Sequence, residues 1–198
     1  GTAGSTTSVG TLTLSGAGAI ATSSGISLNG SGSRLLLDNT AGNVDRINNT
    51  GAVNLSLGSE LSLTGNATND TSEIFGSLAI GAGNQIVTIA SAASRVTTLN
   101  AGAVSNALTR TSNGTALIRG TSLDQSVATN VSKFTLGDGG ASLTFVGTNT
   151  LNNGAASDAT QAVKIVPYLL GDTAVGGNGK NFVTYDTTLG LRVLNATE

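Results

Sequence analysis

Apolar and polar residues alternate one for one along most of the chain. The pattern is plain in Thr11-Leu12-Thr13-Leu14, Ile26-Ser27-Leu28, Val53-Asn54-Leu55-Ser56-Leu57 and Leu61-Ser62-Leu63. It returns in Leu78-Ala79-Ile80, Phe134-Thr135-Leu136, Leu143-Thr144-Phe145 and Val163-Lys164-Ile165. A period of two places the apolar side chains on one face of a strand and Ser, Thr or Asn on the other. Each run is short and bounded by Gly, Asn, Asp or Ser, which supply turns and tolerate positive φ. No window carries an i, i+3, i+4, i+7 stripe, so the pattern predicts strands and almost no helix.

Many short strands at close spacing fit a β-sandwich or a β-solenoid. Aromatic residues make up only 3% of the chain, too few to fill a wide sandwich core. The apolar positions are mostly Leu, Val, Ile and Ala, which suit a narrow stacked interior. Asn, Ser and Thr recur in the turns, where successive coils can bond one another in ladders. These features predict an all-β chain folded as a right-handed β-solenoid, a parallel β-helix of short strands and Gly/Asn/Ser turns, with a β-sandwich as the alternative. The expected organisation is a single solenoid segment over 1–198, subdivided by a Gly/Ala/Ser/Asn/Asp loop at about 151–160.

Composition narrows the chemistry. The chain has no His and no Cys, so zinc, haem and iron–sulfur sites lose their usual ligands. Hydrolase triads lose their base, and no disulfide frames the fold. Charged residues are 10% with a net charge of −2, and the Lys and Arg are scattered, which leaves no electrostatic footprint for nucleic acid. An apolar fraction of 38% in regular alternation argues against disorder. The sequence shows neither a signal peptide nor an apolar run of the ~18 residues a membrane span needs. It contains no Met and begins Gly-Thr-Ala-Gly, so it reads as a processed chain or a part of a longer one. Any export signal or anchor is expected outside it.

Several blocks resemble a known family. Val44-Asp45-Arg46-Ile47-Asn48 leads into Val53-Asn54-Leu55-Ser56-Leu57-Gly58-Ser59-Glu60-Leu61-Ser62-Leu63. Thr71-Ser72-Glu73-Ile74-Phe75-Gly76-Ser77-Leu78-Ala79-Ile80 follows, running on to Asn84-Gln85-Ile86. Later come Ala107-Leu108-Thr109-Arg110, Leu117-Ile118-Arg119-Gly120, Ile165-Val166-Pro167-Tyr168, Asn181-Phe182-Val183-Thr184-Tyr185-Asp186 and Gly190-Leu191-Arg192-Val193-Leu194. In this order they resemble the repeats of bacterial autotransporter-associated β-strand repeat proteins. Tyr168 stands where that pattern often has Trp, and Ser59 where it often has a second Gly. The resemblance implies an extracellular or cell-surface β-solenoid in a long chain. It marks Arg46, Glu73, Arg110, Arg119, Pro167 and Tyr185 as structural positions.

Candidate chemistry is sparse. Asp38 and Asp45, and Asp70 and Glu73, are the carboxylate pairs closest in sequence, and a glycosidase needs two such groups flanking a sugar. Asp70 lies in a loop-like run and Glu73 begins a strand, so the plainer reading is a turn residue and a structural one. The remaining acids are dispersed, unlike the calcium cluster of a solenoid lyase. Gly137-Asp138-Gly139-Gly140 makes Asp138 a calcium candidate, although Asp-Gly is also an ordinary turn signal. Arg46 is expected to pair with Glu73. Tyr168, Tyr185, Phe182 and Phe75 read as core plugs in preference to a sugar-stacking platform. The Asn-x-Thr/Ser triplets at Asn48, Asn66, Asn69, Asn113, Asn130 and Asn195 read as turns.

The expected function is structural: a non-enzymatic component of an extracellular fibre, filament or cell-surface scaffold, with no cofactor. Its partner would be itself or neighbouring repeat units, joined end to end or by strand addition, because a stack with no evident cap has open ends. The alternative is an adhesin whose loops 151–160 and 171–180 bind glycan or extracellular matrix. Neither nucleic acid nor membrane insertion by this segment is expected.

Overall fold

A computed structural model describes residues 5–7, 10–42, 45–123, 129–147 and 163–194. It is all-β, with no helix among these residues. The first coil holds β1 (Ser5–Thr7) and β2 (Gly10–Leu14), and the second β3 (Gly25–Asn29) and β4 (Ser33–Asp38). The third holds β5 (Ala52–Ser56), β6 (Glu60–Thr64) and β7 (Thr71–Phe75). The fourth holds β8 (Leu78–Ile80), β9 (Asn84–Ala90) and β10 (Val96–Ala101). The fifth holds β11 (Leu108–Arg110), β12 (Thr115–Gly120) and β13 (Val131–Leu136). After these come β14 (Leu169–Asp172), β15 (Asn181–Asp186) and β16 (Gly190–Val193).

Each strand of a coil pairs in parallel with its counterpart in the next coil. The first face is the sheet β1-β3-β5-β8-β11, the second begins β2-β4-β6-β9-β12-β14, and the third is β7-β10-β13. The chain is therefore a β-solenoid of parallel stacked strands. Among the described residues the third face of the early coils is a single parallel bridge, between Ile20 and Ile47.

The register turns the alternation of the sequence into stacked rows. On the second face Leu12, Leu35, Leu61, Val87 and Ile118 lie one above another, as do Leu14, Leu37, Leu63 and Ile89. On the first face the rows are Ile26, Val53, Leu78, Leu108 and Leu28, Leu55, Ile80. Nearly all of these side chains are buried, in one cluster that runs from Leu14 to Val193. Fully burying one such side chain stabilises the fold by about 1.5–3 kcal/mol. Outward-facing polar residues form ladders between coils: Asn54 donates to Ser27, and Ser56 donates to Asn29.

Two apolar residues leave the pattern. Leu57 would extend the Val53–Leu55 alternation, but it takes φ 58° at the corner with Gly58 and is 56% exposed. The turn to the second face needs that left-handed residue. Phe182 is 52% exposed, so it is not the core plug expected from its chemistry, whereas Phe75, Tyr168 and Tyr185 are buried.

The stack is closed at the end carrying β11, β12 and β13. β14 continues the second face beside β12, and β15 then pairs antiparallel with β14, and β16 antiparallel with β15. The Tyr185 hydroxyl accepts from Leu136 N (3.1 Å) and donates to Leu136 O (3.2 Å) on edge strand β13. The edge of the first face is met in the same way. Ala107 N donates to Asp138 Oδ2 and Leu108 N to Ser142 Oγ. The sequence gives no sign of this cap, because it is built from ordinary strand residues whose antiparallel return depends on distant contacts.

Candidate functional site

Arg46 sits at the corner after β4, wholly buried, in a chain with few charges. Its guanidinium reads the backbone of two coils. Nε donates to Asn39 Oδ1 (2.8 Å), Nη1 to Gly18 O (2.7 Å), and Nη2 to Asp38 O (2.6 Å) and Gly16 O (3.2 Å). A planar fork with five donors suits such a ring of carbonyls. Its own carbonyl accepts from Ile20 N.

Glu73 does approach Arg46, but not as a side-chain ion pair. Its Oε1 accepts the backbone N–H groups of Arg46 (3.0 Å) and Ile47 (2.9 Å). These amides stand where the third face has no full strand in the second coil, so a carboxylate takes the place of a strand carbonyl. Glu73 occupies an inner row with Leu99 and Phe134. Burial there pushes its carboxyl up to about 7, against the lowering effect of the two amide donors.

The other acids are also structural in geometry. Asp70 lies on the surface and accepts from Val96 N, whereas Glu73 is buried. Asp38 closes a turn with Thr40, whose hydroxyl and amide donations hold its carboxyl below the usual range. Asp138 accepts from Ala107, Gly140 and Ser142 amides. Its burial opposes ionisation, but these donors and the Ser142 hydroxyl together hold its carboxyl below the ordinary value. The Asp138 oxygens are thus engaged in a turn and an edge cap. Among the described residues no three His, Cys, Asp or Glu side chains gather in one place.

On the outer second face, Glu60 lies between Arg34 (3.6 Å) and Arg119 (3.5 Å), and Thr88 donates to its Oε1. Arg119 also donates through Nη1 to Gly177 O. This folds the 171–180 segment onto the sheet, with Gly179 against Leu117 and Leu170. The other expected presenting loop, 151–160, lies outside the described residues.

Pro167 is the second residue of a turn closed by Leu169 N donating to Val166 O, a position that suits its fixed φ. The turn carries Tyr168 beneath Arg110, whose guanidinium lies 5.1 Å from the ring centre. Burial raises the Tyr168 phenol above its ordinary pKa, and Thr144 N–H and the Arg110 charge oppose that rise. Leu108, Thr109, Arg110, Ser142, Thr144, Pro167 and Tyr168 line an open cleft of about 370 Å³.

Other polar residues were not distinguishable in sequence from the many Asn and Gln in turns. Gln85 is fully buried, accepts from Gly58 and Ser59 amides and donates to Gly81 and Ala82 carbonyls. Asn66 donates to Asn39 O and accepts from Thr68 and Asn69 amides. Asn48 likewise ties Ser23 O to the Thr50 turn. The amides of two candidate triplets are thereby occupied as coil-to-coil turn bonds.

The geometry offers interlocking backbone-reading side chains, an aliphatic stack and one open cleft with an arginine in it. No protein-family description matches the chain, and no curated protein and no solved structure matches it either.

Proposed function

We propose that this chain is a structural, non-catalytic segment of an extracellular or cell-surface scaffold, of the kind its autotransporter-like repeats suggest. The observation that carries this reading is the division of labour in the stack. Four of the buried polar side chains are spent on holding one coil to the next. Arg46, Glu73, Gln85 and Asn66 all bond backbone of a neighbouring coil. A rod whose rigidity comes from every coil suits bearing length and load better than turnover.

The two ends of the stack differ. At one end β1 and β2 are the terminal strands of their sheets, each paired on one side among the described residues. At the other, Tyr185, Asp138 and Ser142 occupy strand-edge groups. Growth by strand addition, whether from an adjoining repeat or a second copy, therefore belongs at the β1–β2 end. The adhesin alternative would use the 171–180 segment, which is tied to the sheet at Gly177 and Gly179 and exposed at 173–176.

Electron microscopy of the native material tests the reading. Rods with an axial spacing of about 4.8 Å per coil in diffraction are expected. Placing Lys at the exposed Thr11 and Thr13 of β2 should shorten any assembly. Compact globular particles, unchanged by those charges, would overturn it.

A further inference from the structure

We propose that the cleft at the end of the first face binds the carboxylate of an acidic saccharide, with Arg110 as the anchoring residue. The proposal is independent of the scaffold reading.

Arg110 stands in register with Leu28, Leu55 and Ile80, an inner row that is aliphatic in the second, third and fourth coils. At the last rung the row ends in a guanidinium, and among the described residues no further strand of the first face covers it. The cleft opens there. Its volume of about 370 Å³ falls within the usual range of ligand sites, about 300–1,000 Å³.

Arg110 is held in place but not neutralised. Its Nε donates to Gly114 O at 2.7 Å, and its face rests on Tyr168. Pro167 and the Thr144 amide fix that ring from below. Glu60 serves Arg34 and Arg119, and Arg46 is saturated by carbonyls, but among the described residues no carboxylate pairs with Arg110. Its two Nη groups make no hydrogen bond to any described residue. A guanidinium whose plane is already fixed, with its outer edge open, matches a carboxylate bidentately and loses little rotamer freedom on binding.

The walls select what carries the carboxylate. Thr109, Ser142 and Thr144 give the cleft a polar side, and Leu108 and Pro167 an apolar one. Among the described residues no acid lines it, and Asp138 lies behind Ser142 with its oxygens engaged. A pyranose ring has the same mixture, with hydroxyls at its rim and C–H groups on its faces. A uronic acid therefore fits better than a bare anion.

The test is a titration of the folded chain with tri-galacturonate, followed by calorimetry and by chemical-shift changes at Arg110 Nε–H. Maltotriose, acetate and a short peptide with a free C-terminus serve as comparison ligands. The expected result is millimolar or tighter binding of tri-galacturonate, at least tenfold weaker binding of all three comparison ligands, and at least a tenfold loss in Arg110→Gln. Arg110→Lys keeps the charge but not the fork and should lose most of the binding. A thermal melt shows that the variants are folded, and Arg110 is exposed enough for both to be tolerated. No binding, equal binding of maltotriose, or binding unchanged in both variants overturns the proposal. Acetate or the peptide binding as well as tri-galacturonate overturns its saccharide part.

Discussion

The Glu73 carboxylate accepts the backbone N–H groups of Arg46 and Ile47 through one oxygen, Oε1. It lies in the row shared by Leu99 and Phe134, so a polar group sits where the solenoid otherwise stacks apolar ones. Oε2 has only a longer contact to Arg46 N, 3.2 Å. A proton on Oε2 therefore leaves both amide bonds intact.

A pH dependence follows. The carboxyl has an ordinary value of 4.5 and is pushed up to about 7 in the fold, chiefly by burial. Between these values the folded chain holds a proton that the unfolded chain has released. Stability is then full below about pH 4.5 and falls as pH rises through 7, by about 1–3 kcal/mol from this group. Urea unfolding at pH 5 and pH 8 should show the drop. Glu73→Gln keeps an Oε1 acceptor and should flatten the profile, while Glu73→Ala orphans two amides and should cost about 2–4 kcal/mol at both pH values.

Arg46 should be intolerant even of Lys. An ammonium has three donors on a flexible stem and does not span Asn39, Gly18 and Asp38 at once. Arg46→Lys is expected to lose about 2–4 kcal/mol by leaving buried carbonyls unpaired. Hydrogen exchange should localise the loosening to the first two coils. Exchange raised uniformly along the stack would count against the coil-bridging role.

Tyr185→Phe removes one oxygen and keeps the ring packed on Gly140. Leu136 N–H and C=O then lose their partner, at a cost of about 1–3 kcal/mol. The Leu136 amide should exchange faster, and the freed β13 edge should raise self-association, measurable by sedimentation. No change in either would show that the hydroxyl does not cap the edge.

Gly114 is fixed by close approach. A Cβ there would lie 1.8 Å from Gly81 O of the coil below. Gly114→Ala forces two backbones apart at a corner and should destabilise by about 2 kcal/mol or more. The same substitution at Gly42, whose Cβ meets nothing within 4 Å, should change the unfolding midpoint little.

The period-two pattern was legible before any coordinates. Rows such as Leu35–Leu61–Val87 follow from alternation, since a strand sends successive side chains to opposite faces. The poverty of aromatics and the run of small turn residues favoured a parallel stack over the sandwich that alternation also allows. Arg46 and Glu73 stood out because charges are rare, yet their bond runs through a backbone amide that no sequence pattern displays.

The sequence by itself determined an all-β chain with its inner and outer faces, because these depend on local alternation and turn chemistry, and it favoured coiled stacking over a sandwich. Only the tertiary structure decided which coil each residue meets. Asp138 becomes an edge cap for Ala107, Tyr185 closes β13, and Arg110 ends an aliphatic row over Tyr168. These relationships join residues tens of positions apart, and the register that aligns them is set by corners and loops of unequal length. That register, more than composition, decides where the stack is sealed and where it leaves a cleft.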